Sequence, residues 1–128
     1  AEAIDMLQAL NTGHDGSLST GHANSPKDML SRLESMVLMG MDLPLGAVQR
    51  QIASGIDIIV HLGRLRDKSR KVLEVSEILD YQDGEILVSP LYRFEETGEK
   101  DGKIQGTWRK MDDLVHTQKL LAAGYKEV

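Results

Sequence analysis

The sequence predicts an α/β fold with an appended antiparallel β-hairpin and a C-terminal helix, and three observations carry that expectation. Ser25-Pro26 stands ahead of Met29, Leu30, Leu33, Met36 and Val37, which is a capped helix with one apolar stripe. Past Gly55 the period changes, and Ile56, Ile58, Val60 and Leu62 alternate as in a strand. Further on, Asp83-Gly84 separates two β-favouring runs, the strongest short-range signal for a tight hairpin turn.

The chain has 128 residues, 41% hydrophobic and 27% charged, which allows one core and predicts a single domain over 1–128. Without cysteine, neither a disulfide framework nor a thiolate metal site can form. Fifteen Lys and Arg against 20 Asp and Glu give a formal net charge of -5, so nucleic acid is not an expected partner. The chain opens on Ala1-Glu2-Ala3 with no initiator Met, and no run reaches the roughly 20 apolar residues of a membrane span. It reads as cytoplasmic and as cut from something longer.

Taken in order, Ala3, Ile4, Leu7 and Leu10 recur at helical spacing without a capping residue before them, and Asn11-Thr12-Gly13 stops that helix. The span 17–20 lies between glycines and reads as a short buried strand. Pro44 opens another helix with Leu45, Val48 and Ile52 on one face, ended by Gly55. The spans 56–62, 70–79 and 85–94 are expected as strands, the last two paired antiparallel. The stretch 95–103, EETGEKDGK, has no apolar residue and is expected to be a loop. After a short segment at 104–108, Met111, Leu114, Val115 and Leu121 outline a terminal helix closed by Gly124. The expected parts are therefore 1–62 (strand and helices), 63–95 (antiparallel strands), 96–103 (loop) and 104–128 (strand and helix).

Chemistry concentrates in TGHDGSLSTGHANSP, from Thr12 to Pro26. This string puts His14 before the expected buried strand, and Thr20, His22 and Asn24 past its far end, directly ahead of a capped helix. In open α/β sheets ligands bind beyond the carboxyl ends of strands, where helix N-termini attract anions, so a phosphate is a sensible neighbour for His22.

This string resembles the histidine box of the type II and type IV secretion traffic ATPases, in which a TGH segment precedes a short strand and an ST-x-H-[AT]-N-S segment. The branch it is most similar to is the CpaF class, which powers tight-adherence (Flp) pili. Residues 2–10, EAIDMLQAL, resemble the helix after the Walker B segment of that class. The chain looks as though it begins just past the Walker B glutamate. QIASGIDIIVHL at 51–62, with Arg64, Leu65, Arg66, Asp67 and Arg70 after it, is similar to the family's C-terminal strand and basic hairpin. Good similarity covers 2–79 and weakens from Asp80 onward.

The resemblance implies the C-terminal portion of a RecA-like P-loop ATPase domain. It also implies a parent that hydrolyses ATP with Mg2+ as a ring, expected to be a homohexamer, to power secretion or pilus assembly. That parent would be cytoplasmic and peripheral at the inner face of the cytoplasmic membrane. Its implied partners are the N-terminal half of the motor domain, identical ring subunits and inner-membrane secretion components. In that setting His22 reads the γ-phosphate, Thr20 and Asn24 support it, and His14 shapes the strand from its other end. One departure is decisive: nowhere does the sequence contain the family's G-x-x-x-x-G-K-[ST] loop, and the closest stretch, 13–20, has Leu18 and Ser19 where Gly and Lys are needed. The chain by itself is therefore expected to be inactive and to hold no cofactor.

Blander readings stand beside these. Two histidines eight apart, taken by spacing alone, are more often structural or capping residues than functional ones. A metal site is not expected, because HExxH and cysteine pairs are absent. Arg64, Arg66, Lys68, Arg70 and Lys71 straddle a turn, and such a run is either a solvated hairpin tip or, through its arginines, an interface or phosphate contact. The methionines of 29–41 are expected to fill core gaps. A non-enzymatic interaction or oligomerisation module, from a degenerate paralogue, is the alternative to the ATPase reading.

Overall fold

The computed structural model describes residues 20–40 and 42–126. The expected helix at 2–10, His14, Met41 and all but the last residue of the expected strand at 17–20 lie outside the described residues. In chain order there follow helix α1 (Pro26–Gly40), helix α2 (Leu45–Gly55), strands β1 (Ile58–Arg64), β2 (Arg70–Gln82), β3 (Glu85–Lys100) and β4 (Lys103–Lys110), and a short helix α3 (Gln118–Ala122). The four strands form one sheet in the order β1-β2-β3-β4. The fold is thus α/β, with the sheet built antiparallel. Among the described residues no helix is long and apolar enough to cross a membrane.

Two compact units divide the chain: 20–57 with Ile78–Val88, and Ile58–Glu77 with 89–126. In the first, the sequence-encoded cap forms, because the Asp28 N–H donates to Ser25 Oγ at 3.0 Å while Pro26 sits at the first helical position. From there Leu30, Leu33 and Val37 bury one stripe of α1 alongside Val48 and Ile52 of α2, and Ile78 and Ile86 complete this core. Met36 was expected on that stripe but lies about 90° round the helix from its middle at 3.6 residues per turn, and it is half exposed. Leu45 at the start of α2 is likewise half exposed. Gln49 Nε2 donates to Glu34 Oε1 at 3.4 Å and ties the two helices together. At the hairpin between β2 and β3, Asp83 (φ 52°) and Gly84 (φ 81°) both take the left-handed conformation that a tight primed turn requires.

Strand β1 begins two residues later than expected, because the Ile56 N–H still closes α2 on the Ile52 carbonyl at 3.0 Å. In the second unit β1 and β2 pair antiparallel from Ile58↔Glu77 to Arg64↔Arg70, with a bulge at His61/Leu62. The expected loop at 96–103 is instead a β-hairpin. β3 continues to Lys100, Asp101 (φ 53°) and Gly102 (φ 75°) make the turn, and β4 pairs back from Lys100↔Lys103 to Tyr92↔Lys110. A polar hairpin satisfies its backbone by cross-strand hydrogen bonds, so it needs no apolar side chain to be extended.

Beside that hairpin Phe94 and Trp108 stack edge to face, with centroids 5.5 Å apart. Phe94 also covers Gly106, where a Cβ would fall 2.4 Å from its Cζ and 2.5 Å from the Glu95 carbonyl oxygen. Because a backbone atom cannot step aside as a side chain can, Gly106→Ala is expected to destabilise by about 1–3 kcal/mol. Urea denaturation followed by Trp108 fluorescence measures it, and an unchanged midpoint would contradict the packing.

The terminal helix also differs from expectation. Residues 111–117 are irregular, and only Gln118–Ala122 is helical. The reason is long-range: Val115 and His116 donate their N–H groups to Glu77 Oε1 and Oε2, both at 2.8 Å, and so are held outside a helical ladder. The stop at Gly124 (φ 99°) forms as expected, with Gly124 N–H on the Leu121 carbonyl and Tyr125 N–H on the Leu120 carbonyl.

Candidate functional site

Thr20, His22 and Asn24 lie together on the irregular segment that leads into α1, and all three are exposed. Local chemistry fixes this segment. The Asn24 N–H donates to Asp28 Oδ2 at 3.0 Å, the same oxygen that accepts Arg32 Nε at 3.1 Å one helical turn further on. The Asn24 amide, and then Arg32, hold the Asp28 carboxyl below its ordinary range. At Gly21 a Cβ would meet the Met29 side chain at 2.5 Å, so the segment passes close over the first turn of α1. Ser25, Asp28 and Met29 thus hold the backbone on either side of His22, at Gly21 and Asn24, and from the sequence they belong only to the helix. Their signal was present as an N-cap followed three residues later by an acid.

Two first-turn amides of α1 are paired with Ser25. Pro26 has no N–H, the Asp28 N–H goes to Ser25 Oγ, and the Met29 N–H goes to the Ser25 carbonyl at 3.0 Å. With the Asp28 carboxylate also in the first turn, the helix terminus is already complemented. The exposed His22 stands four residues ahead of this first turn.

The basic hairpin belongs to the second unit. Arg64 and Arg70 stand opposite each other in register, two exposed residues at the turn end of β1 and β2. Arg66 is placed differently: its Nη1 donates to Glu96 Oε2 at 2.7 Å, its Nη2 donates to Glu96 Oε1, and Nη2 lies 3.6 Å from Glu99 Oε2. Glu96 above all, and then Glu99, push the guanidinium's pKa further up, while Arg66 holds the Glu96 carboxyl down. The predicted trio is thus split, with Arg64 and Arg70 juxtaposed and Arg66 engaged in tying the turn to the β3–β4 hairpin.

Asp67 organises this turn. It accepts the Ile104 N–H at 2.8 Å and the Ser69 N–H at 2.9 Å, while Lys68 takes φ 70°. The Ile104 amide first, with the Ser69 hydroxyl and amide, lowers the Asp67 carboxyl from 3.8 to about 2. A carboxyl depressed in the folded state contributes stability that is present above its unfolded pKa and lost as pH falls through the folded value. Between pH 3.8 and about 2 the native protein should therefore lose stability faster than an Asp67→Asn variant. Thermal melts across that interval test it, and parallel pH profiles would show that Asp67 carries no such linkage.

Residues 1–116 match the family described as Type II/IV secretion system protein, and the chain belongs to that family. It is 35% identical over 86 residues to a putative conjugal transfer protein of Mycobacterium tuberculosis, covering 67% of this chain and 24% of that protein. It is 35% identical over 81 residues to the conjugal transfer protein TrbB of Rhizobium radiobacter, covering 63% and 24%. To the type IV secretion system protein PtlH of Bordetella pertussis it is 35% identical over 88 residues, covering 65% and 25%. The chain spans about a quarter of the length of the curated relatives it matches.

Proposed function

We propose that this chain is the phosphate-reading part of a secretion ATPase whose nucleotide-holding loop lies on other residues of the same motor. The carrying observation is the exposed His22 on a segment fixed by Ser25 and Asp28, in a chain of the type II/IV secretion family that contains no G-x-x-x-x-G-K-[ST] loop. In this reading the fold is the C-terminal portion of a RecA-like domain, and the branch is the CpaF-like one. ATP with Mg2+ is held by the N-terminal half of the motor. His22 donates a hydrogen bond to the γ-phosphate, with Thr20, Asn24 and His14 supporting it. Phosphoryl transfer needs positioned charge more than covalent chemistry, so a histidine at that distance senses or stabilises the phosphate without acting as a base. The whole protein works as a homohexameric ring at the inner face of the cytoplasmic membrane, driving secretion or Flp pilus assembly, and the isolated chain hydrolyses nothing.

In a whole motor carrying these residues, His22→Ala is expected to lower ATP hydrolysis roughly a hundredfold, the scale for losing one preorganised donor. His22→Ala with unchanged hydrolysis and unchanged nucleotide affinity would remove His22 from the phosphate. Asn24→Ala should have a smaller effect, because the structural hydrogen bond of Asn24 runs through its backbone.

A further inference from the structure

In an ordinary capping box the acid at the third helical position reaches back to the amide of the N-cap itself. Here Ser25 is the N-cap and Asp28 the acid, yet Asp28 Oδ2 accepts the amide one residue earlier, the Asn24 N–H at 3.0 Å. The hold of the helix therefore extends into the segment that carries His22. Two residues of chain reach about 7 Å at most, so an amide pinned at Asn24 confines His22 to a small volume.

The bond is also aimed. The same Oδ2 accepts Arg32 Nε at 3.1 Å, one turn further along α1, and this pair sets which oxygen faces Asn24. Asp28 and Arg32 stand on a helix rooted by Leu30 and Leu33, 4% and 3% exposed, so the anchor is as rigid as the core beneath it. The contact on the other side of His22 is of a different kind. A Cβ at Gly21 would meet the end of the Met29 side chain, Cε at 2.5 Å and Sδ at 3.2 Å, a flexible group that yields. Asp28 supplies the directional tie. We propose that Asp28 is the positioning residue of His22: through the Asn24 amide, and steadied by Arg32, it sets where the imidazole meets the phosphate. This rests on the reading of His22 as the phosphate contact and adds the residue that aims it. Asp28 itself stays off the phosphate, because a carboxylate held in its charged form by the Asn24 amide and Arg32 repels an anion.

In the whole motor carrying these residues, Asp28→Ala should lower kcat roughly tenfold with KM unchanged, part of the roughly hundredfold loss for His22→Ala, because a displaced group costs rate rather than nucleotide affinity. Asp28→Asn keeps a carbonyl oxygen for both bonds and should stay within about twofold of the native rate. Where His22 is already alanine, Asp28→Ala should cost nothing more in kcat. A cap that merely stabilised the helix would cost the same in both backgrounds. In the 128-residue chain the Asn24 amide should exchange slowly, lose that protection in Asp28→Ala and keep it in Asp28→Asn. An unprotected Asn24 amide in the native chain, or an equal loss of kcat with and without His22, would overturn the inference. A full His22 effect beside an inert Asp28→Ala would remove this inference alone. His22→Ala without effect would remove the phosphate reading and this inference with it.

Discussion

Ile52→Ala is expected to lower stability by about 2–5 kcal/mol, the range for emptying a fully buried aliphatic site. Ile52 is wholly excluded from solvent, as are Val37 of α1 and Val48 of α2. Its methyl and methylene groups fill the space between the two helices, and neither helix can close the gap alone. The Gln49–Glu34 hydrogen bond fixes their spacing on one side, and the α2 C-terminus is fixed on the other, since Ile56 bonds back to Ile52 and Asp57 accepts the Ile78 N–H at 2.9 Å. A large part of the vacated volume should therefore stay empty. Met39→Ala is the comparison, because Met39 is 87% exposed and its truncation should fall within about 0.5 kcal/mol of the native value. Denaturation followed by far-ultraviolet circular dichroism measures both. Equal midpoints for the two variants would mean that the helices are not packed as described.

Glu77→Ala is the second large effect. Glu77 is 1% exposed, and its two oxygens each accept one backbone N–H, from Val115 and His116. Truncation leaves both amides without their acceptor, at about 1–3 kcal/mol for each group that water does not reach. Glu77→Gln separates the two bonds: the amide keeps one carbonyl oxygen, so it can satisfy one N–H while its NH2 group repels the other. The expected order of stability is native, then Gln, then Ala. Amide exchange should show the loss first at Val115 and His116. Protection unchanged at those two positions in Glu77→Ala would show that they are held by something else.

Where backbone conformation is set by neighbouring residues, the fold was legible in the sequence. Ser25-Pro26 fixed the start of α1 through one side-chain oxygen and one ring, and Asp83-Gly84 fixed a turn through two left-handed residues. Asp101-Gly102 carries the same turn signal. It was outweighed by the absence of apolar residues around it, which is weak evidence against a hairpin whose strands satisfy their own backbones. Partners far along the chain were illegible. Glu77 reaches 38 and 39 residues to keep Val115 and His116 out of a helix, and Arg66 reaches 30 residues to Glu96.

The candidate site divides the same way. His22 stood out as part of a family-like string, and Arg64 and Arg70 as part of a basic run. Only the three-dimensional arrangement shows that the Asp28 and Met29 amides at the start of α1 bond to Ser25, and that Asp28 ties the Asn24 backbone down.

The proposed division of labour, reading the phosphate here and holding it elsewhere, is most directly tested by titrating Mg-ATP into the 128-residue chain and following its thermal unfolding. A ligand that binds only the folded state raises the melting temperature in proportion to its occupancy. No shift at any nucleotide concentration is the expected result. A saturable rise, abolished by His22→Ala, would show that the chain holds nucleotide unaided and would contradict the proposal.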